Sequence, residues 1–327
     1  MLHHDPKRRH CLETTAALAA LSVLGSANVQ AHDTRVLDET WHDTARSRAL
    51  PMRIRVPSTP GPWPVVVYSH GLGGSREGGD AWGQAWCQAG IMVLHVQHPG
   101  SDGDVFRQGM QALRAAASAE QLRSRVADVR FVLDELARRQ RSGTAPWPHA
   151  RLDAIGMAGH SFGARTTQAL AGERFPVATP LAEPRFQAFM AFSPSSHASR
   201  SVREAFGAVQ RPFFAITGSH DGDPFGAFAS GESRARVFEG LPSGQRALLW
   251  LDGADHSSFA GNVEQRIAGR GLLQREPVAL SRETAHHALV ARLSTLWWRW
   301  RLAGDAAAWE SGKTQAGLTS GDRLELG

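Results

Sequence analysis

The chain has 327 residues, 42% of them hydrophobic and 20% charged, with a formal net charge of +5. This is the balance of a globular protein long enough for one large α/β domain or two small ones. Lys and Arg are spread along the chain instead of forming a basic stripe, which argues against nucleic acid as a partner. No apolar run approaches the ~20 residues that a membrane-spanning helix needs.

The first predicted element is an export signal over residues 1–31. Lys7, Arg8 and Arg9 form a positive region, residues 14–25 a short apolar one, and Val29-Gln30-Ala31 puts small residues at the −3 and −1 positions of a cleavage site. The stretch KRRHCLE (7–13) resembles a twin-arginine signal, with Cys11 where Phe or Leu is commoner, so twin-arginine and general export both stay open. Cleavage after Ala31 would start the exported chain at His32 and remove Cys11. Of the two cysteines only Cys87 would remain, so an internal disulfide is excluded. Cys87 is expected to be a buried structural thiol.

Short β-rich runs then alternate with helical ones. Strands are predicted at 50–57, 64–69, 91–96, 152–159, 186–193, 213–217 and 247–251. Their continuous apolar character suits parallel strands covered on both faces. A helix over 119–141 lines up Leu122, Val126, Val129, Val132, Leu133 and Leu136 on one side. A second runs over 283–304, with Trp297, Trp298 and Trp300 near its end. These tryptophans are expected to cap the sheet as core in preference to forming a membrane-interface patch. The alternation implies one α/β domain over 32–310. A polar, Gly-rich tail over 311–327 is expected to lie outside it.

The stretch MAGHSFGART (157–166) sets Ser161 between Gly159 and Gly163, after one predicted strand and before a helical run. That context fits a strained strand-to-helix turn that lifts a nucleophilic hydroxyl above the sheet. A serine needs a base, and the base an orienting acid. In an open parallel sheet both should follow later strands, in the order Ser, acid, His. FFAIT is followed by GSHDGDP, which supplies Asp221 with Asp223 as the alternative. ALLWL is followed by DGADHSSF, which supplies His256, while Asp255 is too close along the chain to turn onto that imidazole. Oxyanion donors are expected from the backbone N–H of Phe162 and, in the Gly-rich loop of VVVYSHGLGGSRE (65–77), that of Leu72. HPGSDGD (98–104) can be read as a pocket lining or a plain loop. His70, His160 and His220 flank these elements, and none is placed to be the base. The turns SDGD (101–104) and DGD (221–223) put Phe106 and Phe225 at the fifth position of a calcium loop, where an oxygen ligand is required. No metal and no cofactor is implied.

PVVVYSHGLGGSR, HPGSD, GHSFGA, GSHDGD and DHSSF resemble the Ser-dependent α/β-hydrolases related to platelet-activating-factor acetylhydrolase, whose bacterial relatives are often labelled predicted dienelactone hydrolases. The resemblance extends from WHDTARSRALPMRIRVP (41–57) to the Trp-rich last helix. It implies an α/β-hydrolase fold, a mostly parallel central sheet flanked by helices. It also implies a triad of Ser161, Asp221 and His256, with Leu72 and Phe162 as oxyanion donors. Dienelactone hydrolases proper carry Cys where this chain has Ser161. The expected activity is hydrolysis of carboxylic esters with short acyl groups, among them acetylated or oxidised phospholipids or polyester fragments. An amidase or acylaminopeptidase on the same triad is the alternative, and a non-catalytic binding module is a third reading. The expected partner is a small-molecule ester, and oligomeric state stays open.

Overall fold

The structure is a computed structural model that describes residues 34–175, 180–196, 200–222, 229–262, 275 and 277–327. The export signal expected over 1–31 lies outside them. β1 (Arg35–Asp43) and β2 (Arg48–Val56) form an antiparallel hairpin. Only β2 is predicted from sequence, because β1 is an edge strand whose RVLDETWHD alternates exposed and half-buried residues before ending in buried positions. Then follow β3 (Trp63–Ser69), α1 (Asp80–Gln88) and β4 (Met92–Val96). Three helices come next: α2 (Asp104–Arg107), α3 (Met110–Ala116) and α4 (Ala119–Arg141). β5 (Ala150–His160) leads directly through Ser161 into α5 (Phe162–Ala171). β6 (Phe186–Phe192), α6 (Val202–Phe206), β7 (Phe213–His220), α7 (Gly231–Gly240) and β8 (Arg246–Asp255) continue the alternation. α8 (Pro277–Ala303), α9 (Ala306–Thr314) and β9 (Arg323–Leu326) end it.

The sheet order is β1-β2-β4-β3-β5-β6-β7-β8-β9. The strands from β3 to β8 pair in parallel, while β1, β2 and β9 are antiparallel to their neighbours. Apolar residues alternate between the faces of the buried strands. Val65 and Val67 pack with α4, α5 and α7 on one side, while Val66 and Tyr68 pack with α1, α8 and α9 on the other. Every residue of β3 and β4 is buried, as the continuous apolar runs predict. Trp297 and Trp298 are fully buried against the sheet, and Trp309 of α9 joins them. Cys87, near the end of α1, is also buried, and burial pushes its thiol up to about 12.

The stretch from Ser311 departs from expectation. It is not a tail outside the domain. It completes α9 and adds β9, whose Arg323–Leu326 pair with Trp250–Ala247. An edge strand pairs on one side only, so a short polar RLEL suffices and leaves no apolar run to read. The Arg323 guanidinium lies over the Trp250 ring, 4.9 Å from its centroid.

Chain order runs outward from β3 in both directions, to β4 on one side and β5 on the other. In such sheets the crevice forms where the order reverses, beyond the strands' carboxyl ends. The ends of β3 and β5 carry the Gly-rich loop and Ser161.

Candidate active site

Ser161 adopts φ 56° and ψ −112° between the end of β5 and the start of α5. A side chain rarely takes that backbone conformation, and it persists only where surrounding structure enforces it. Two glycines make it possible. A Cβ on Gly163 would overlap the backbone carbonyl of Ser69, and one on Gly159 would overlap the carbonyl of Gly163. The elbow is thus pressed against the end of β3, and no side chain fits between them.

Ser161, His256 and Asp221 meet above three strand ends. The Ser161 Oγ lies 2.9 Å from His256 Nε2, and His256 Nδ1 lies 2.7 Å from Asp221 Oδ1. With Nδ1–H donating to the carboxylate, Nε2 is left to accept the serine hydroxyl. Asp221 is fully buried. Burial raises its pKa, but the Arg234 guanidinium and His256 beside it, with the Thr217 hydroxyl, outweigh that and hold it below the usual carboxylate range. Thr217 donates to Asp221 Oδ2 at 2.8 Å. Asp223 lies outside the described residues.

Asp255, set aside in the sequence as an acid for His256, caps the short 3-10 turn His256–Phe259 through Ser258. It also pairs with Arg275 at 3.0 Å. His160 does not act on Ser161, its neighbour in sequence. Its Nε2–H donates to the backbone carbonyl of His256 at 3.1 Å, and its ring stands 4.7 Å from the His256 ring. Burial, then the proximity of His256, pushes its pKa down to about 3, so it stays neutral. His220 is exposed at the end of β7. Both His160 and Arg234 thereby steady the site without contacting Ser161 Oγ. Arg234 is buried on α7, and its Nε donates to the Asp221 carbonyl at 2.8 Å while Nη1 donates to those of Ser193 and Pro194.

The loop after β3 faces Ser161. A Cβ on Gly71 would stand 3.4 Å from the Ser161 Cβ. Among the described residues, neither Leu72 N–H nor Phe162 N–H donates a hydrogen bond to the protein. Phe162 is the first residue of α5, where helix amides lack intrahelical acceptors. The HPGSDGD loop is a buttress more than a lining. Gly73 N–H donates to Ser101 O at 2.9 Å and Gly103 N–H to Gly74 O at 3.0 Å. Leu72 packs on Val105 and Ala116 of α2 and α3.

A second Ser-His-Asp chain lies wholly inside the protein. Ser69 Oγ is 3.0 Å from His98 Nε2, and His98 Nδ1 is 2.9 Å from Asp128 Oδ2, with all three residues fully buried. Arg48 and Arg46 neutralise Asp128 from the other side. No substrate can reach this serine, so the arrangement ties β3, β4 and α4 together below the site. The sequence offered one signal for it. Arg125 and Asp128 are charged residues among the buried positions of α4.

Residues 27–135 match the family model described as Platelet-activating factor acetylhydrolase, isoform II. No curated protein matches the chain. The matched stretch contains β1 to β4, the Gly-rich loop and most of α4, and ends before Ser161. With a mostly parallel sheet, flanking helices and this match, the chain is an α/β-hydrolase of the lipase and esterase type, similar over residues 27–135 to the platelet-activating factor acetylhydrolase family.

Proposed function

We propose that the protein is a serine carboxylic-ester hydrolase that works through an acyl-enzyme on Ser161. The observation that carries this reading is the hydrogen-bonded chain Ser161–His256–Asp221, with its serine on a strained elbow. In this mechanism His256 takes the hydroxyl proton as Ser161 Oγ attacks the ester carbonyl. Asp221 keeps the imidazole in the Nδ1–H tautomer and stabilises its charged form. The tetrahedral oxyanion is held by the N–H groups of Leu72 and Phe162. Collapse breaks the bond to the alcohol, which leaves with the proton from His256. A water molecule, deprotonated by the same imidazole, then releases the acid and restores the serine.

The proposed substrates are short-acyl esters, with acetylated or oxidised phospholipids and polyester fragments as the classes to examine. A panel of p-nitrophenyl esters of increasing chain length, run beside matched anilides, tests bond type and acyl size together. The expected result is a maximum at short chains and no anilide turnover. Anilide turnover at comparable kcat/KM would make the amidase reading the better one. We also propose export with cleavage after Ala31. The N-terminus of the secreted protein would then read from His32, and one starting well before it would contradict this.

A further inference from the structure

We propose that Arg125 is the positioning residue of the oxyanion hole, setting the amides of Leu72 and Phe162 together from inside the protein; this rests on the reading of Ser161 as nucleophile. Arg125 stands on α4 and is fully buried. Among the described residues, no carboxylate comes within ion-pair distance of it. Asp128 and Asp102 act on it only from beyond contact, and a buried cation with no carboxylate in contact is costly unless its donors are well used. Here they converge on the end of β3 and the loop beyond it. Nη1 donates to His70 O at 2.6 Å, and Nη2 to Gly71 O at 3.4 Å and Ser101 O at 3.3 Å. Nε donates to Ser101 Oγ at 2.8 Å. On its other side the guanidinium lies over the Phe162 ring, 4.4 Å from the centroid.

The consequence for Leu72 follows from peptide geometry. In a trans peptide the carbonyl of one residue and the N–H of the next point in opposite directions. Arg125 shares the Gly71 carbonyl with two closer donors, the His70 Nδ1–H at 2.6 Å and the Gly74 N–H at 3.1 Å. That tautomer is fixed because His70 Nε2 accepts the N–H of His98 at 3.0 Å. With His70 O clamped on Arg125 and Gly71 O held inward by Arg125, His70 and Gly74 together, Leu72 N–H is turned outward, on the side where Gly71 abuts Ser161. The stacked Phe162 ring fixes the first residue of α5, whose N–H is the other donor. One guanidinium therefore sets both halves of the hole and adds positive potential behind them. A planar fork suits this task and an ammonium does not.

The test compares Arg125→Lys and Ser101→Ala with the wild type and Ser161→Ala. It uses p-nitrophenyl acetate kinetics per active site titrated with a fluorophosphonate, and inhibition by an alkyl trifluoromethyl ketone. The ketone adds to the serine as a hemiketal and places an oxyanion in the hole. Arg125→Lys should lower kcat by about 10- to 100-fold and weaken the ketone by a similar factor, with KM little changed. Ser101→Ala, which removes one hydroxyl from the clamp and little volume, should move both in the same direction by about 3- to 10-fold. A merely structural arginine would lower the melting temperature and the titrated fraction, and leave both readouts per site alone. Folded Arg125→Lys with kcat and ketone affinity within about twofold of wild type, or with kcat lost and ketone affinity kept, overturns the proposal. If Arg125→Lys does not fold, Ser101→Ala at wild-type values overturns it. Full activity in Ser161→Ala would instead sink the reading of the nucleophile.

Discussion

At Ser161 the backbone is strained, and two residues on at Gly163 there is no room for a side chain, because the elbow is packed onto the Ser69 carbonyl there. Gly163→Ala should therefore destabilise the protein by about 1–3 kcal/mol, because the obstacle is backbone and cannot rotate away. Urea unfolding measures this, and an unchanged midpoint would mean that the elbow relaxes freely. The two aspartates near His256 should separate cleanly. Asp221→Asn should cost roughly 10⁴-fold in kcat by disturbing the imidazole tautomer. Asp255→Asn should leave kcat within a few-fold and cost about 1 kcal/mol of stability as a weakened cap. The reverse pattern in steady-state kinetics would reassign the acid. The juxtaposition of Ser161, Asp221 and His256 was legible in the sequence because each follows its own apolar strand, so position along the chain reports position above the sheet. Arg234 and Arg125 were not. Most of their partners are backbone carbonyls of distant loops, and only folding brings those carbonyls together.

Six apolar runs declared the buried parallel strands β3 to β8, since a strand covered on both faces shows no polar alternation, while β2 was legible from its alternation of Met52 and Ile54 with Arg53 and Arg55. The two edge strands escaped. β1 is half-polar along most of its length and β9 is four residues of RLEL. Edge strands gain their stability from a neighbour's ladder, which composition does not report. Removing residues 323–327 should therefore have a real cost, about 1 kcal/mol for each ladder hydrogen bond lost from β8. It should also leave β8 as an open apolar edge that promotes association. Thermal melts at several concentrations would show a lower Tm and concentration-dependent aggregation. A truncated protein that melts like the full chain would make β9 an ornament of the sheet. α8 shows the opposite case. Its three tryptophans read as core from the sequence; burial of Trp297 and Trp298 against the sheet bears that out for two of them, while Trp300 is half-buried and stacks on Trp309.

The whole molecule keeps several histidines neutral and buried around the β3, β4 and β5 strand ends. Burial pushes His95 and His98 down to about 4 and His160 to about 3, from an ordinary value of 6.5. Between those values the unfolded chain binds protons that the folded chain refuses. Stability from these groups is thus fully present above pH 6.5 and is lost as pH falls toward 4. At pH 5 the loss should be roughly 1–2 kcal/mol per histidine. Urea midpoints should fall steadily from pH 7.5 to pH 5, and a flat profile would contradict the burial described. The fold as a whole was legible because parallel order, crevice position and the chain order Ser, Asp, His depend on one another. The central chemical claim remains the covalent one, and intact-mass analysis tests it most directly. After acid quenching of the protein during p-nitrophenyl acetate turnover, or after treatment with a fluorophosphonate, peptide mapping should find the added group on Ser161 and none in Ser161→Ala. Modification at another residue, or undiminished turnover in Ser161→Ala, would contradict the account.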